Sequence, residues 1–105
     1  MKRKTPVGLI VGSLGLLAGC SAEGTHTAQA LEHAQVAAKE STIQGIQEHA
    51  QVSLTHVQAA EQAKEAGAEH LTAAETALNN ALKAQDVGSA KMAAENAESH
   101  LKMIQ

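Results

Sequence analysis

No Phe, Tyr or Trp occurs anywhere in the 105 residues, and this absence narrows the possible folds more than any other feature. Sheets draw their stability from aromatic and β-branched side chains packed on a pleated surface, and here Ala dominates instead, with a single Pro and a single Cys. An all-β sandwich and a disulfide-stapled scaffold are therefore excluded. So is a nucleic-acid module that stacks bases on aromatic rings. The remaining class is all-α, and the length admits one small domain and no multidomain enzyme.

Self-similarity supports helices. Glu32-His33-Ala34-Gln35-Val36 recurs unchanged sixteen residues later as Glu48-His49-Ala50-Gln51-Val52, a sign of duplicated helical segments. Gly45, Gly67 and Gly88 are spaced by 22 and 21 residues and punctuate roughly equal pieces. Four helices follow: Thr27 to Lys39, Thr42 to Ala66 with Ser41 as N-cap and Gly67 as terminator, Glu69 to Ala84, and Val87 or Gly88 to Met103 with Asp86 as cap. At 100° per residue, Ile43, Ile46, Ala50, Leu54 and Val57 fall on one side of the second helix. Leu71, Ala74, Leu78 and Leu82 do so in the third, and Ala90, Ala94, Ala97, Leu101 and Ile104 in the fourth. Four such seams predict an up-down four-helix bundle. Alanine lets helices approach closely but buries little area, so the core should be thin and its stability marginal without a ligand.

The amino-terminal segment reads as an export signal: Lys2, Arg3 and Lys4 precede an apolar run, Val7 to Leu17, too short to span a bilayer permanently. Leu17-Ala18-Gly19-Cys20 resembles the lipobox of bacterial lipoproteins, which implies cleavage before Cys20 and acylation of that cysteine. The expected organisation is a signal peptide over 1–19, a lipidated tail over 20–26 and a helical bundle over 27–105. Ser21 after the cysteine resembles the pattern that sends lipoproteins to the outer membrane, which places the anchored chain in the periplasm. With the signal gone, five of the eight basic residues remain against eleven carboxylates, a net charge of −6. Nucleic acid is not a partner for such a surface, since no Lys/Arg cluster exists to neutralise phosphates. Cations are, and nothing in the sequence calls for more than a monomer.

Six histidines are the chemically informative residues: His26, His33, His49, His56, His70 and His100. On the helical wheel His49 and His56 lie about 100–120° from the centre of their apolar stripe, outside the core. His26 to His33 and His49 to His56 are seven-residue steps and His56 to His70 is fourteen, so each helix carries its imidazoles on one face. Imidazole binds divalent transition metals, copper most strongly, with nickel, zinc and iron as other candidates. Two turns rise about 11 Å, too far for two histidines of one helix to share an ion. Any site must therefore join neighbouring helices, completed by Glu32, Glu48, Glu69 or Glu95 or by water, and several modest sites are expected rather than one closed cage. No nucleophile with a partner base, phosphate loop or zinc-enzyme motif is present, so the chain reads as a non-enzyme.

The segment Glu48-His49-Ala50-Gln51-Val52-Ser53-Leu54-Thr55-His56, with His26, Leu31-Glu32-His33-Ala34 and His70-Leu71, resembles the small metal-binding proteins of ammonia-oxidising bacteria. The resemblance implies a periplasmic His-rich four-helix bundle that binds several metals reversibly, copper especially, without catalysis. Continuing the seven-residue steps lands on Glu40, Ala63, Ala77 and Ala84, where a histidine-dense relative would keep imidazoles, so fewer and weaker sites are expected; Glu40 can still serve as a ligand, whereas the alanines cannot. A rival reading is a structural envelope lipoprotein, an Ala-rich spacer like the murein lipoproteins with merely solvated histidines. Its weak points are the chain end Lys102-Met103-Ile104-Gln105, which lacks a terminal lysine, and the breaks at Gly67 and Gly88.

Overall fold

The computed structural model describes residues 25–104. The expected signal peptide, the lipid-bearing Cys20 and most of the tail lie outside these residues. Four helices follow in order: α1 (His26–Lys39), α2 (Ile43–Gln62), α3 (Ala68–Lys83) and α4 (Val87–Ile104). Each packs on two neighbours, α1 on α2 and α4, and α3 on α2 and α4, while α2 and α4 touch only weakly across the diagonal. Connections of three to five residues force each helix to run back along the last. The result is the up-down four-helix bundle that the seams predict. Among the described residues no helix is long and apolar enough to cross a membrane.

The core is as thin as its composition implies. Among the described residues, twelve of the eighteen buried apolar side chains are alanines, and Ile46, Leu54, Val57, Leu71, Leu78 and Leu101 are the rest. The unevenness matters more than the total. From α1 the buried residues are Ala30, Ala34, Ala37, Ala38 and Thr27, and its one leucine, Leu31, only leans on the cluster. Burial scales with apolar area, so α1 is held less by hydrophobic contact than its partners, which insert leucine, isoleucine or valine.

Polar clips compensate. The buried Ser53 hydroxyl of α2 donates to the Ala30 carbonyl of α1 at 2.7 Å. The Gln47 amide of α2 donates to three carbonyls at the end of α3, Ala81 at 3.3 Å, Leu82 at 3.0 Å and Ala84 at 3.1 Å, satisfying acceptors that a helix end otherwise leaves to solvent.

The bounds of α1, α3 and α4 fall within one residue of expectation, while α2 differs in its cap and at its end. Thr42, not Ser41, caps α2, its hydroxyl accepting from the Gly45 N–H at 3.0 Å. α2 also stops at Gln62, four residues before Ala66. Its end is a Schellman turn in which Glu65 N–H donates to Ala60 O at 3.0 Å and Lys64 N–H to Glu61 O at 3.1 Å. Lys64 takes the left-handed position at φ 58°, which usually belongs to glycine, so composition hides this stop. Gly67 does not end α2 but opens α3 at φ 90°, where an added Cβ would lie 2.6 Å from the Ile104 side chain of α4. Asp86 does cap α4, accepting from Ser89 N–H at 2.8 Å.

Lys64→Gly should raise the unfolding free energy by about 1 kcal/mol, since the left-handed cost for an L side chain disappears. Chemical denaturation of the two chains measures it, and an unchanged or lowered midpoint contradicts this account of the turn.

Candidate metal centre

The histidines of α1 and α2 interleave. Seven-residue spacing places His26 and His33 in one row along α1, with Glu40 seven residues further on at the helix's C-cap, and His49 and His56 in one row along α2. The helices run oppositely about a turn centred on Ser41, so residues equidistant from it stand side by side. His26 and His56 are each fifteen residues from Ser41, and His33 and His49 each eight. The rings of His26 and His56 lie 5.7 Å apart with planes at 27°, those of His56 and His33 5.7 Å apart at 9°, and those of His33 and His49 6.0 Å apart at 19°. Glu40 ends the row, its Oε2 3.5 Å from His49 Nε2. Four imidazoles and a carboxylate thus form one ladder along the α1–α2 groove.

The ladder meets the dimensions of a metal chelate at one rung. His26 Nδ1 and His56 Nδ1 are 3.4 Å apart. Two metal–nitrogen bonds of about 2.0–2.1 Å meeting at a tetrahedral angle set their nitrogens about 3.3–3.4 Å apart, and the separation of these two atoms matches that value. Without an ion the same spacing is a hydrogen bond whose direction depends on the tautomers.

His70 and His100 form a second pair on the opposite side of the bundle, in the first turn of α3 and the last of α4, with rings 5.7 Å apart at 36°. They too are each fifteen residues from their turn, at Gln85. The counterparts of the inner rung are Ala77, which is buried, and Ala93, so this groove has one rung only.

Every one of the six histidines is half-buried, in the grooves rather than fully solvated. Burial lowers the pKa of His33, with His49 lowering it further and Glu32 partly opposing. The same holds for His56, where burial is followed by His33 and His26, again against Glu32. Both rings therefore stay neutral at neutral pH and keep a lone pair for a metal. Two ring nitrogens, Nδ1 of His33 and Nδ1 of His100, are buried with no hydrogen-bond partner. A buried polar atom of this kind is costly unless something occupies it, and a metal ion would.

The carboxylates are arranged differently from the expected set. Glu32, Glu48, Glu69 and Glu95 are exposed, and of these Glu32 acts on His33 and His56 through its charge alone. Glu40, the departure from histidine in the seven-residue series, is the carboxylate that reaches a ring. Among the described residues no three His, Cys, Asp or Glu side chains converge on one point. At His26–His56 the geometry offers two nitrogens at chelating separation, and an ion held there would take its remaining positions from water, which favours exchange over tight retention.

Spacing gave no hint of Glu65. From the α2–α3 connection its Oε2 accepts from His26 N–H at 3.1 Å, and its Oε1 accepts from Thr27 N–H at 3.1 Å and from the Thr27 hydroxyl at 2.7 Å. Burial alone would push this carboxyl up, but the hydrogen bonds from Thr27 and His26 outweigh it and hold the group below its ordinary 4.5.

A family model for the small metal-binding protein matches residues 2–105. No curated protein and no solved structure matches.

These shifts set two pH windows for the metal-free chain. The lowered His33 and His56 bind protons less readily folded than unfolded, so stability should fall as pH drops below about 6.5, where unfolded imidazoles protonate. Glu65 should add a second loss below about 4.5 as its carboxyl protonates. Denaturant midpoints between pH 8 and 4 measure both. In His33→Ala/His56→Ala the upper step should flatten while the lower persists; an upper step of undiminished size would contradict the assignment.

Proposed function

The chain belongs to the small metal-binding protein family, and from that premise we propose that it takes up divalent transition metals reversibly through three histidine pairs set across helix–helix grooves. The pairs are His26–His56 and His33–His49 between α1 and α2, and His70–His100 between α3 and α4. The observation that carries the reading is the 3.4 Å separation of His26 Nδ1 and His56 Nδ1, which a tetrahedral ion spans at normal bond lengths. The middle contact, His33 with His56, is the alternative grip. An ion held there takes one ring from each outer pair, so one ion in the middle competes with two at the sides.

Copper(II) heads the expected order, since nitrogen sites favour it intrinsically, and nickel, zinc and iron follow according to supply. Two protein nitrogens per ion give modest affinity, suited to buffering or sequestration. The role is binding and not catalysis. Cys20 carries lipid on this reading and tethers a monomeric bundle to the outer membrane from the periplasmic side, where envelope metal is met first.

Calorimetric titration of the chain from Ser21 onward with Cu(II) should give about three ions per chain. His49→Ala/His56→Ala removes one ring from each α1–α2 pair and should leave about one; His70→Ala/His100→Ala should leave about two. Unchanged stoichiometry in the first variant overturns the pairing. No saturable uptake in the unsubstituted chain returns the spacer reading.

The anchor has its own check. Cys20→Ser should abolish fatty-acid labelling and move the protein from the membrane to the soluble envelope fraction. Membrane retention of the unlabelled variant rules out the lipid anchor.

A further inference from the structure

We propose that Glu65, in the connection between α2 and α3, is a positioning residue for the His26–His56 pair, holding the first turn of α1 so that His26 stays within chelating distance of His56. The proposal rests on the metal reading above and assigns a determinant of one site that itself contacts no ion.

His26 is the first residue of α1, where helices fray and backbone N–H groups lack partners within the helix. In α1 every one of these donors is accounted for. Thr25 accepts from Ala28 N–H at 3.0 Å through its side chain, and its carbonyl accepts from Gln29 N–H at 3.1 Å. The two remaining donors, His26 N–H and Thr27 N–H, go to separate oxygens of Glu65, 39 and 38 residues away in sequence. The other helices begin differently: Thr42 and Asp86 cap α2 and α4 from the adjacent residue, and α3 begins at Gly67 with no side-chain cap. The carboxylate also sits at the positive end of the α1 dipole, which favours its charge.

This tie matters at α1 because little else fixes that end. Its buried residues there are Thr27 and Ala30, and Thr27 itself donates its hydroxyl to Glu65 at 2.7 Å. Glu65 is in turn aimed by the Schellman turn, since its N–H is bound to Ala60 O and Lys64 preceding it is left-handed at φ 58°. His56 lies mid-helix in α2, the same helix whose end presents Glu65. One helix therefore supplies both a ring of the pair and the clamp that brings the other ring to it. A chelate needs both nitrogens placed before the ion arrives, and affinity drops when binding must first order a frayed end.

The test uses the intact chain and Zn(II), followed by nuclear magnetic resonance of each histidine ring. In Glu65→Ala the Zn(II) concentration that half-shifts His26 and His56 should rise about tenfold, the scale of a lost helix cap, while His70 and His100 respond at the original concentration. Glu65→Gln keeps one accepting oxygen and should give an intermediate shift; it also serves if the alanine chain does not fold. Without metal, Glu65→Ala should lose the His26–His56 ring proximity and the amide protection of His26 and Thr27. Equal Zn(II) response in variant and parent overturns the proposal alone. Equal weakening at all four rings also overturns it, as mere loss of overall stability. Failure of His26 and His56 to respond in the unsubstituted chain overturns the metal reading of that pair and this proposal together.

Discussion

Close approach between α1 and α2 is the constraint on which the rest depends. Every apolar residue that α1 buries is an alanine, packed in clusters shared with α2, and the same closeness brings two flanking rows of imidazoles within 6.0 Å of one another. Larger core residues would bury more area and spread the rings beyond the reach of one ion. The helix with the least hydrophobic anchorage is thus the one whose imidazoles meet those of α2. Hydrogen bonds from Ser53 and to Glu65 recover part of the loss.

Most of this was legible in the sequence where the information is periodic or local. The four helices, the inward seams and the placement of histidines off the core follow from the 3.6-residue period, and Asp86 is recognisable as a cap from its neighbours. Pairing of particular histidines was also latent there, because an up-down hairpin about Ser41 sets residues equidistant from it side by side. What could not be read was non-local. Gln47 at the end of α3 and Glu65 at the start of α1 act 34 to 39 residues from their own positions, and no spacing rule links them. Lys64 in a left-handed turn hides the stop of α2 from any reading that looks for glycine, and Gly67, three residues on, then draws the boundary to itself.

The two halves of the bundle are offset copies of one hairpin. Adding 44 residues carries His26, Thr42 and His56 onto His70, Asp86 and His100, so the outer pair and the cap beyond the turn recur in both halves. The inner pair does not: His33 and His49 are carried onto Ala77 and Ala93. The packing of the two halves is nevertheless matched, since each hairpin buries nine apolar side chains of which three are larger than alanine: Ile46, Leu54 and Val57 in the first, Leu71, Leu78 and Leu101 in the second. Within the first half all three belong to α2, so α1 is the one helix that brings no large apolar side chain to the buried core.

An ion bound as proposed would therefore have a structural consequence. An ion gripped by one nitrogen of α1 and one of α2 would staple to its neighbour the helix that buries no large apolar side chain. Ligand that binds only the folded form stabilises it in proportion to the logarithm of its saturation, about 2.7 kcal/mol at a hundred times the dissociation constant. On a bundle of this size such a term is a sizeable part of the whole. Protons act on the same rings in the opposite sense, because protonated imidazoles have no lone pair and repel one another within the ladder. Acid would therefore work against an ion held by these rings. Loading should consequently register as tightening of α1 against α2, with α3 and α4 serving as the frame.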